Sequence, residues 1–230
     1  MQVAELNKLF EGLRVADVRD GMDWAGLHSI GSVPSAIAPL FEGARAIGVA
    51  RTIKMRPTEK TVPALTPEEY TEWAYEFWYK TLYKVPLRDE LQEGEIVVIE
   101  SAGIPDVGEV GSNNSLEWHA AGATGVITSG GVRDIDECRM QAVPIFNRYR
   151  SQKMVQGRAE YESTQVPVNI CGVSVRPGDV VVADGDGVVV VPVEHAEVVA
   201  KYARQELDFD KLGRRGFYEK LGRDLDESVR

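Results

Sequence analysis

No apolar run in this chain approaches the ~20 residues a membrane-spanning helix needs. The opening stretch, MQVAELNKLFEGLRVADVRD, carries acidic residues and lacks the apolar centre of a secretion signal. A cytoplasmic protein with no membrane partner is therefore expected. Basic residues are the scarcer charge: 26 Lys and Arg stand against 36 Asp and Glu, a formal net charge of −10. No Lys/Arg stripe exists to displace phosphate counterions, which argues against a nucleic-acid partner. Cysteine is nearly absent. Cys138 and Cys171 are the two present, too few for a disulfide framework and without zinc-ligand spacing, so both are expected as buried thiols. The three histidines, His28, His119 and His195, have no partner four residues away, which excludes the paired-histidine helix of a zinc protease. There is no GxxxxGK[ST] phosphate loop and no GxSxG elbow. Gly185-Asp186-Gly187 is followed by valines rather than a third glycine and a helix, so it reads as a turn between strands, not a dinucleotide fingerprint.

What is present suits an ordinary globular chain: 230 residues, 43% apolar and 27% charged, enough to bury a sizeable core. Residues 3–20 have the period of an amphipathic helix, with Gly12 as a break. Strands are expected over 43–55 and 94–101, the second apolar throughout and so covered on both faces. Thr66-Pro67-Glu68-Glu69 reads as a helix start, with a cap, a first-position proline and acids in the first turn. The helix it opens, near 67–84, has aromatics all round its wheel. Burial in the core or at a subunit interface around Trp73, Phe77 and Trp78 follows from that distribution. A short helix precedes a strand at 125–128, which is expected to break at Ser129-Gly130-Gly131. A helix then runs from Asp134 toward Met140, and a strand covers 142–146. Valine-rich segments between Gly/Pro/Asp turns predict three or four tightly linked strands over 165–192. A C-terminal helix starts near 194 and extends to about Leu207, followed by a charged tail. With no linker or repeat, one α/β domain spanning 1–230 is expected.

The chemistry-bearing stretch is VGEVGSNNSLEWHAAGATGVITSGGVRD (107–134). Gly111-Ser112-Asn113-Asn114 sits just before a helix, where free backbone N–H groups can face an anion. Ser and Asn are equally good helix caps. Arg133 offers a planar fork for a carboxylate. Asp134 beside it is either a cap or a hard-cation ligand. With Glu109 and Asp106 nearby, these residues describe a pocket for a small carboxylate on a divalent metal.

GxxGVxxxGxVRD at Gly122 to Asp134, then the valine-rich run from Val166 to Pro192, with a weaker echo at RVADVRDGMD (14–23), resembles the class II pyruvate aldolases acting on 4-hydroxy-4-methyl-2-oxoglutarate. That family includes the regulator of ribonuclease activity A, and its members were long mislabelled dimethylmenaquinone methyltransferases. The resemblance implies a swivelling β/β/α domain, here with an extra aromatic helix, assembled as a homotrimer or hexamer with sites between subunits. It implies cleavage of a 4-hydroxy-2-oxo acid to pyruvate, or decarboxylation of oxaloacetate, with Mg²⁺ or Mn²⁺ stabilising the pyruvate enolate. By position, Arg133 clamps the substrate carboxylate and Asp134 faces the metal, while Gly111, Ser112 and Asn113 fill the amide-loop positions. The chain departs from the family at Ser112, where an acid is usual. Glu109, in GEVG, is the alternative loop acid and weaker metal ligand, so two placements of the anion loop stay open. A further acid from a neighbouring subunit would be Glu206, Asp208 or Asp210. No histidine is placed to take the C4 hydroxyl proton, leaving a water or hydroxide held by Glu109 or Asp134 as the base. The rival implied by the same resemblance is a non-catalytic regulator that binds a ribonuclease E-type enzyme.

Overall fold

Gly12, in the left-handed region at φ 77°, separates α1 (Val3–Phe10) from α2 (Val15–Trp24), so the expected break occurs. The computed structural model describes residues 1–87, 89–101, 103–104 and 106–230. After β1 (Ala38–Pro39) and the long β2 (Ala46–Pro57) comes α3 (Pro67–Trp73), which continues as a π-helical stretch, Ala74–Leu82. Thr66 caps α3 as its sequence predicts: its Oγ1 accepts from the Glu69 amide at 3.3 Å, and Glu69 Oε2 accepts the Thr66 amide at 2.9 Å. Then follow β3 (Glu95–Glu100), β4 (Gly108–Val110), α4 (Ser112–Ala120), β5 (Val126–Val132), α5 (Ile135–Gln141) and β6 (Ile145–Arg150). The last third contains β7 (Ala159–Thr164), β8 (Val168–Ile170), β9 (Val173–Val175), β10 (Val180–Asp184), β11 (Gly187–Val191) and α6 (Ala196–Leu221).

The main sheet has the order β1-β6-β5-β3-β2-β10-β11, with β4 added beside β5 and β7 beside β2. Its centre is parallel: β2 with β3, β3 with β5, and β5 with β6. Helices cover that centre, and every residue of β3 and β5 is buried, as a strand covered on both faces requires. Val97 and Ile99 enter one core with Trp78 and Trp118, while Ile96 and Val98 enter another with Val181 and Val190. A third core seats α1, α2 and α6 against β10 and β11. Gly185-Asp186-Gly187 is the expected turn, joining β10 to β11.

Three expectations are corrected. β5 does not break at Ser129-Gly130-Gly131; the strand runs through to Val132, with an irregular register against β6 between Thr128 and Gly131. These glycines serve close approach rather than a turn. A Cβ on Gly131 would lie 2.3 Å from the Val107 carbonyl oxygen, and one on Gly130 would lie 2.5 Å from Ser101 Oγ. The strand expected at 142–146 begins later, at Ile145, because Ala142 ends α5 in the left-handed conformation. α6 does not stop near Leu207 but runs 26 residues from Ala196 to Leu221, so the charged tail is largely helical. No helix among the described residues is long and apolar enough to cross a membrane.

Candidate functional site

β4 and β5 end side by side, and each leads directly into a helix. Val110 of β4 pairs with Val132 of β5; α4 begins at Ser112 and α5 at Ile135. Ligand sites form at such carboxyl ends of parallel strands. A cavity of about 530 Å³ opens here, and Glu109, Gly111, Asn113, Arg133 and Asp134 all line it. Ser112 is not in that lining but touches Asp134 through its backbone. The structure therefore brings the predicted residues together.

The pair Arg133–Asp134 is held by two glycines, one under each side chain. A Cβ on Gly108 would lie 2.9 Å from Arg133 Cβ, and a Cβ on Gly111 would lie 2.5 Å from Asp134 Oδ2. Asp134 adopts the left-handed conformation (φ 55°, ψ 43°) and its side chain makes no capping bond to α5. It turns instead to the neighbouring helix: Oδ2 accepts the Ser112 amide at 3.3 Å, while Oδ1 accepts Arg133 Nε at 3.1 Å. The reading of Asp134 as a cap of its own helix is thus overturned. A non-glycine residue held left-handed is a small strain of the kind that gathers at functional sites. Both side chains are about one third exposed, 38% for Arg133 and 33% for Asp134. Arg133 Nε is engaged, and no hydrogen bond to its Nη groups occurs among the described residues.

The expected nest of free amides is partly occupied. Asn114 Oδ1 accepts the Gly111 amide at 2.7 Å, and Asp134 takes that of Ser112. Both GEVG and GSNN reach this cavity: Glu109 enters from β4, and Gly111 and Asn113 from the start of α4.

Glu109 is the site's buried acid, at 3% exposure. Ser101 Oγ donates to its Oε2 at 2.5 Å, whereas Oε1 has no partner among the described residues. Burial pushes its carboxyl up to about 7, with the Ser101 bond opposing that shift. Two further donors fix its backbone carbonyl: Asn114 Nδ2 at 2.9 Å and Tyr83 Oη at 3.2 Å.

Other candidates lie elsewhere. Asp106 pairs with Lys153 Nζ, which holds its carboxyl low, and does not line the cavity. His119 Nδ1 is bonded to the Ala123 carbonyl at 2.7 Å at the end of α4, a structural role. Glu206, Asp208 and Asp210 all sit on α6. Glu206 accepts Trp24 Nε1 at 2.9 Å, Asp210 pairs with Arg214 at 2.9 Å, and none of the three lines this cavity. Cys138 is buried, but Cys171 is only half-buried, contrary to expectation. Trp78 is fully buried in this chain's own core, which removes it from the expected subunit interface.

Sequence reasoning missed one wall of the cavity. Tyr75, Tyr79 and Tyr83 line it from the aromatic helix, and Trp118, Met154 and Val155 also contribute. The signal was the four-residue spacing of those tyrosines. Ser101 was missed because only the parallel alignment of β3, β5 and β4 brings it to Glu109.

Comparison with known proteins agrees with this architecture. Residues 15–190 match the family model described as RraA-like, Aldolase/RraA. DlpA of Legionella pneumophila is 29% identical over 188 residues, covering 80% of this chain and 27% of DlpA, so the chain spans about a quarter of that relative. A Halalkalibacterium halodurans protein, provisionally named a 4-hydroxy-4-methyl-2-oxoglutarate aldolase, is 25% identical over 195 residues, covering 85% of this chain and 82% of that protein. Streptomyces coelicolor RraAS2, described as an unusual member of the RNase ES inhibitor RraA protein family, superposes with a TM-score of 0.71 at 25% identity, over 93% of this chain and 97% of RraAS2.

Proposed function

The chain belongs to the RraA-like family, and from that premise we propose that it is a divalent-metal-dependent carbon–carbon lyase. It cleaves a 4-hydroxy-2-oxo acid to pyruvate, and the same site decarboxylates oxaloacetate. One observation carries this reading. A partly exposed arginine–aspartate pair and a buried glutamate whose carboxyl burial pushes up to about 7 share one cavity. An anion clamp, a hard-oxygen ligand and a proton acceptor matched to neutral pH are the parts such a reaction needs.

The donor set fits Mg²⁺ or Mn²⁺ of a particular kind. Each Asp134 oxygen accepts one N–H and keeps a second acceptor position. Among the described residues no cluster of three His, Cys, Asp or Glu side chains is present. Such a site suits a cation that keeps most of its ligands as water and substrate oxygens, with Asp134 as its main protein ligand and Glu109 a weaker one. When bound, the metal supplies Lewis acidity toward the keto oxygen. Arg133 holds the C1 carboxylate through its Nη edge, a fixed charge that needs no reorganisation. Glu109 takes the C4 hydroxyl proton at Oε1, its unpartnered oxygen. Gly111 and Ser112 keep Asp134 in place. Assembly as a homotrimer or hexamer, with an acid from a neighbouring subunit, belongs to the same reading.

The test is a lactate-dehydrogenase-coupled assay of 4-hydroxy-2-oxo acids and oxaloacetate with Mg²⁺ or Mn²⁺. Pyruvate release that stops on chelation and returns with metal is expected. The likeness to RraAS2 favours a second reading, a regulator acting through surface contacts on a ribonuclease. No pyruvate release with any substrate and either metal would turn the assignment to that reading.

A further inference from the structure

We propose that the lyase substrate carries a single carboxylate and an aromatic group on C4, so that the second product is an aromatic aldehyde. This rests on the lyase reading above and narrows its substrate class. Tyr75, Tyr79 and Tyr83 recur every four residues along the π-helical stretch and its end, and all three face the cavity. Their rings are in mutual contact, Tyr75 with Tyr79 at 5.9 Å between centroids and Tyr79 with Tyr83 at 6.3 Å, edge-on. A π-helix has the wider i→i+5 turn and is uncommon outside functional sites. Here it turns three rings toward one space.

Two of the rings are fixed, while Tyr75 lies exposed at the outer end. Tyr83 Oη donates its hydrogen to the Glu109 carbonyl at 3.2 Å, and Tyr79 Oη accepts from Gln156 Nε2 at 2.8 Å. Both side chains are half-buried, and Trp118 and Val155 add apolar surface beside them. Fixed rings around an apolar space favour a planar ring in offset or edge-on contact. Charge points the same way. Among the described residues lining the cavity, Arg133 is the only cation. Once it holds the C1 carboxylate, no described cation remains for a second one, and burying an unpaired carboxylate is costly.

The reaction balances without a further reactant. The C4 hydroxyl proton passes to Glu109 and the C3–C4 bond breaks. Its electron pair stays on C3 as the enolate, and C4 leaves as the aldehyde. C3 then takes a proton to become the methyl group of pyruvate.

Specificity constants at saturating Mg²⁺ decide the matter, measured for three substrates. These are 4-hydroxy-2-oxo-4-phenylbutanoate, 4-hydroxy-2-oxopentanoate and 4-hydroxy-4-methyl-2-oxoglutarate, with a phenyl, a methyl and a carboxylate-bearing C4. The phenyl substrate is expected to exceed the methyl one by roughly tenfold, with the dicarboxylate lowest. Tyr79→Leu should lower the phenyl-to-methyl ratio by about the same factor. That ratio, taken within one preparation, cancels any loss of folded protein. A preference for the dicarboxylate, or a ratio that Tyr79→Leu leaves unchanged, overturns the aromatic assignment while the lyase reading stands. If none of the three substrates yields pyruvate, the aldol-cleavage part of the lyase reading fails, and this assignment with it, whether or not oxaloacetate is decarboxylated.

Discussion

Glu109 and Asp134 line one cavity in opposite surroundings. Glu109 comes from β4, the short strand paired with β5. Its carboxyl meets Ser101 on one oxygen and, among the described residues, nothing on the other, and burial raises it to about 7. Asp134 lies at a strand-to-helix junction, one third exposed, with an N–H on each oxygen. Carboxylates so differently housed are suited to different tasks. The buried one can gain and lose a proton near neutral pH. The solvated one, tied to a guanidinium and an amide, can present its remaining acceptor positions to a cation. Breaking that division residue by residue tests the proposed chemistry.

Asp134→Asn should give the largest effect. Asn tolerates the left-handed backbone and its Oδ1 can still accept the Ser112 amide, so the charge and the partly exposed bond from Arg133 Nε are what is lost. Turnover is expected to fall roughly 10²–10³-fold, with weaker Mn²⁺ binding by calorimetry and an unchanged melting temperature. Full activity in this variant would reduce Asp134 to a brace for the start of α4.

Glu109→Gln addresses the other carboxylate, through stability against pH. The folded state keeps the Glu109 proton up to about pH 7, whereas an unfolded chain loses it near the ordinary carboxylate value of ~4.3. Between those values the folded state binds more protons, so raising pH destabilises it. The contribution is fully present below the lower value and gone above the higher one. The loss from this group amounts to about 4 kcal/mol. Urea unfolding at steps from pH 4.5 to 8 should show that decline in the native protein and a flatter profile in Glu109→Gln. Parallel profiles would mean that Glu109 titrates normally. If Glu109 is the base of the proposed cleavage, the specificity constant of the native protein should rise through the same window as that carboxyl ionises.

Much of this arrangement is legible in the sequence, and the reasons are local. Thr66-Pro67-Glu68-Glu69 starts a helix because a cap, a fixed φ and early acids all act within one turn. The valine run from β10 to β11 and the GVRD stretch identify an RraA-type α/β fold, which solved RraA structures share. Other features depend on distant partners. Ser129-Gly130-Gly131 looks like a turn until β3 and β4 are seen pressing against it. Asp134 looks like a cap until Gly111 opens room for its carboxylate beside α4. Ser101 lies eight residues from Glu109, and no periodicity links them. The tyrosine stripe was visible as composition, but only the fold shows that those three rings face a cavity while Trp78 fills the core.

Arg133 gives the smallest and sharpest test. If it clamps the substrate, Arg133→Lys keeps the charge but loses the planar fork. That should cost on the order of 1.5–3 kcal/mol, roughly ten- to a hundredfold in kcat/KM, and Arg133→Ala should cost more. Stability argues from the other side of the comparison. The Arg133–Asp134 bond joins two partly exposed groups, and such pairs contribute at most about 1 kcal/mol. Asp134 also keeps the Ser112 amide when Arg133 is removed, so no carboxylate is left stranded as it would be in a buried pair. Both variants should therefore unfold within about 1 kcal/mol of the native protein in urea while losing turnover. A variant that unfolds easily yet works normally per folded molecule would show that Arg133 braces Asp134 and does not touch the substrate.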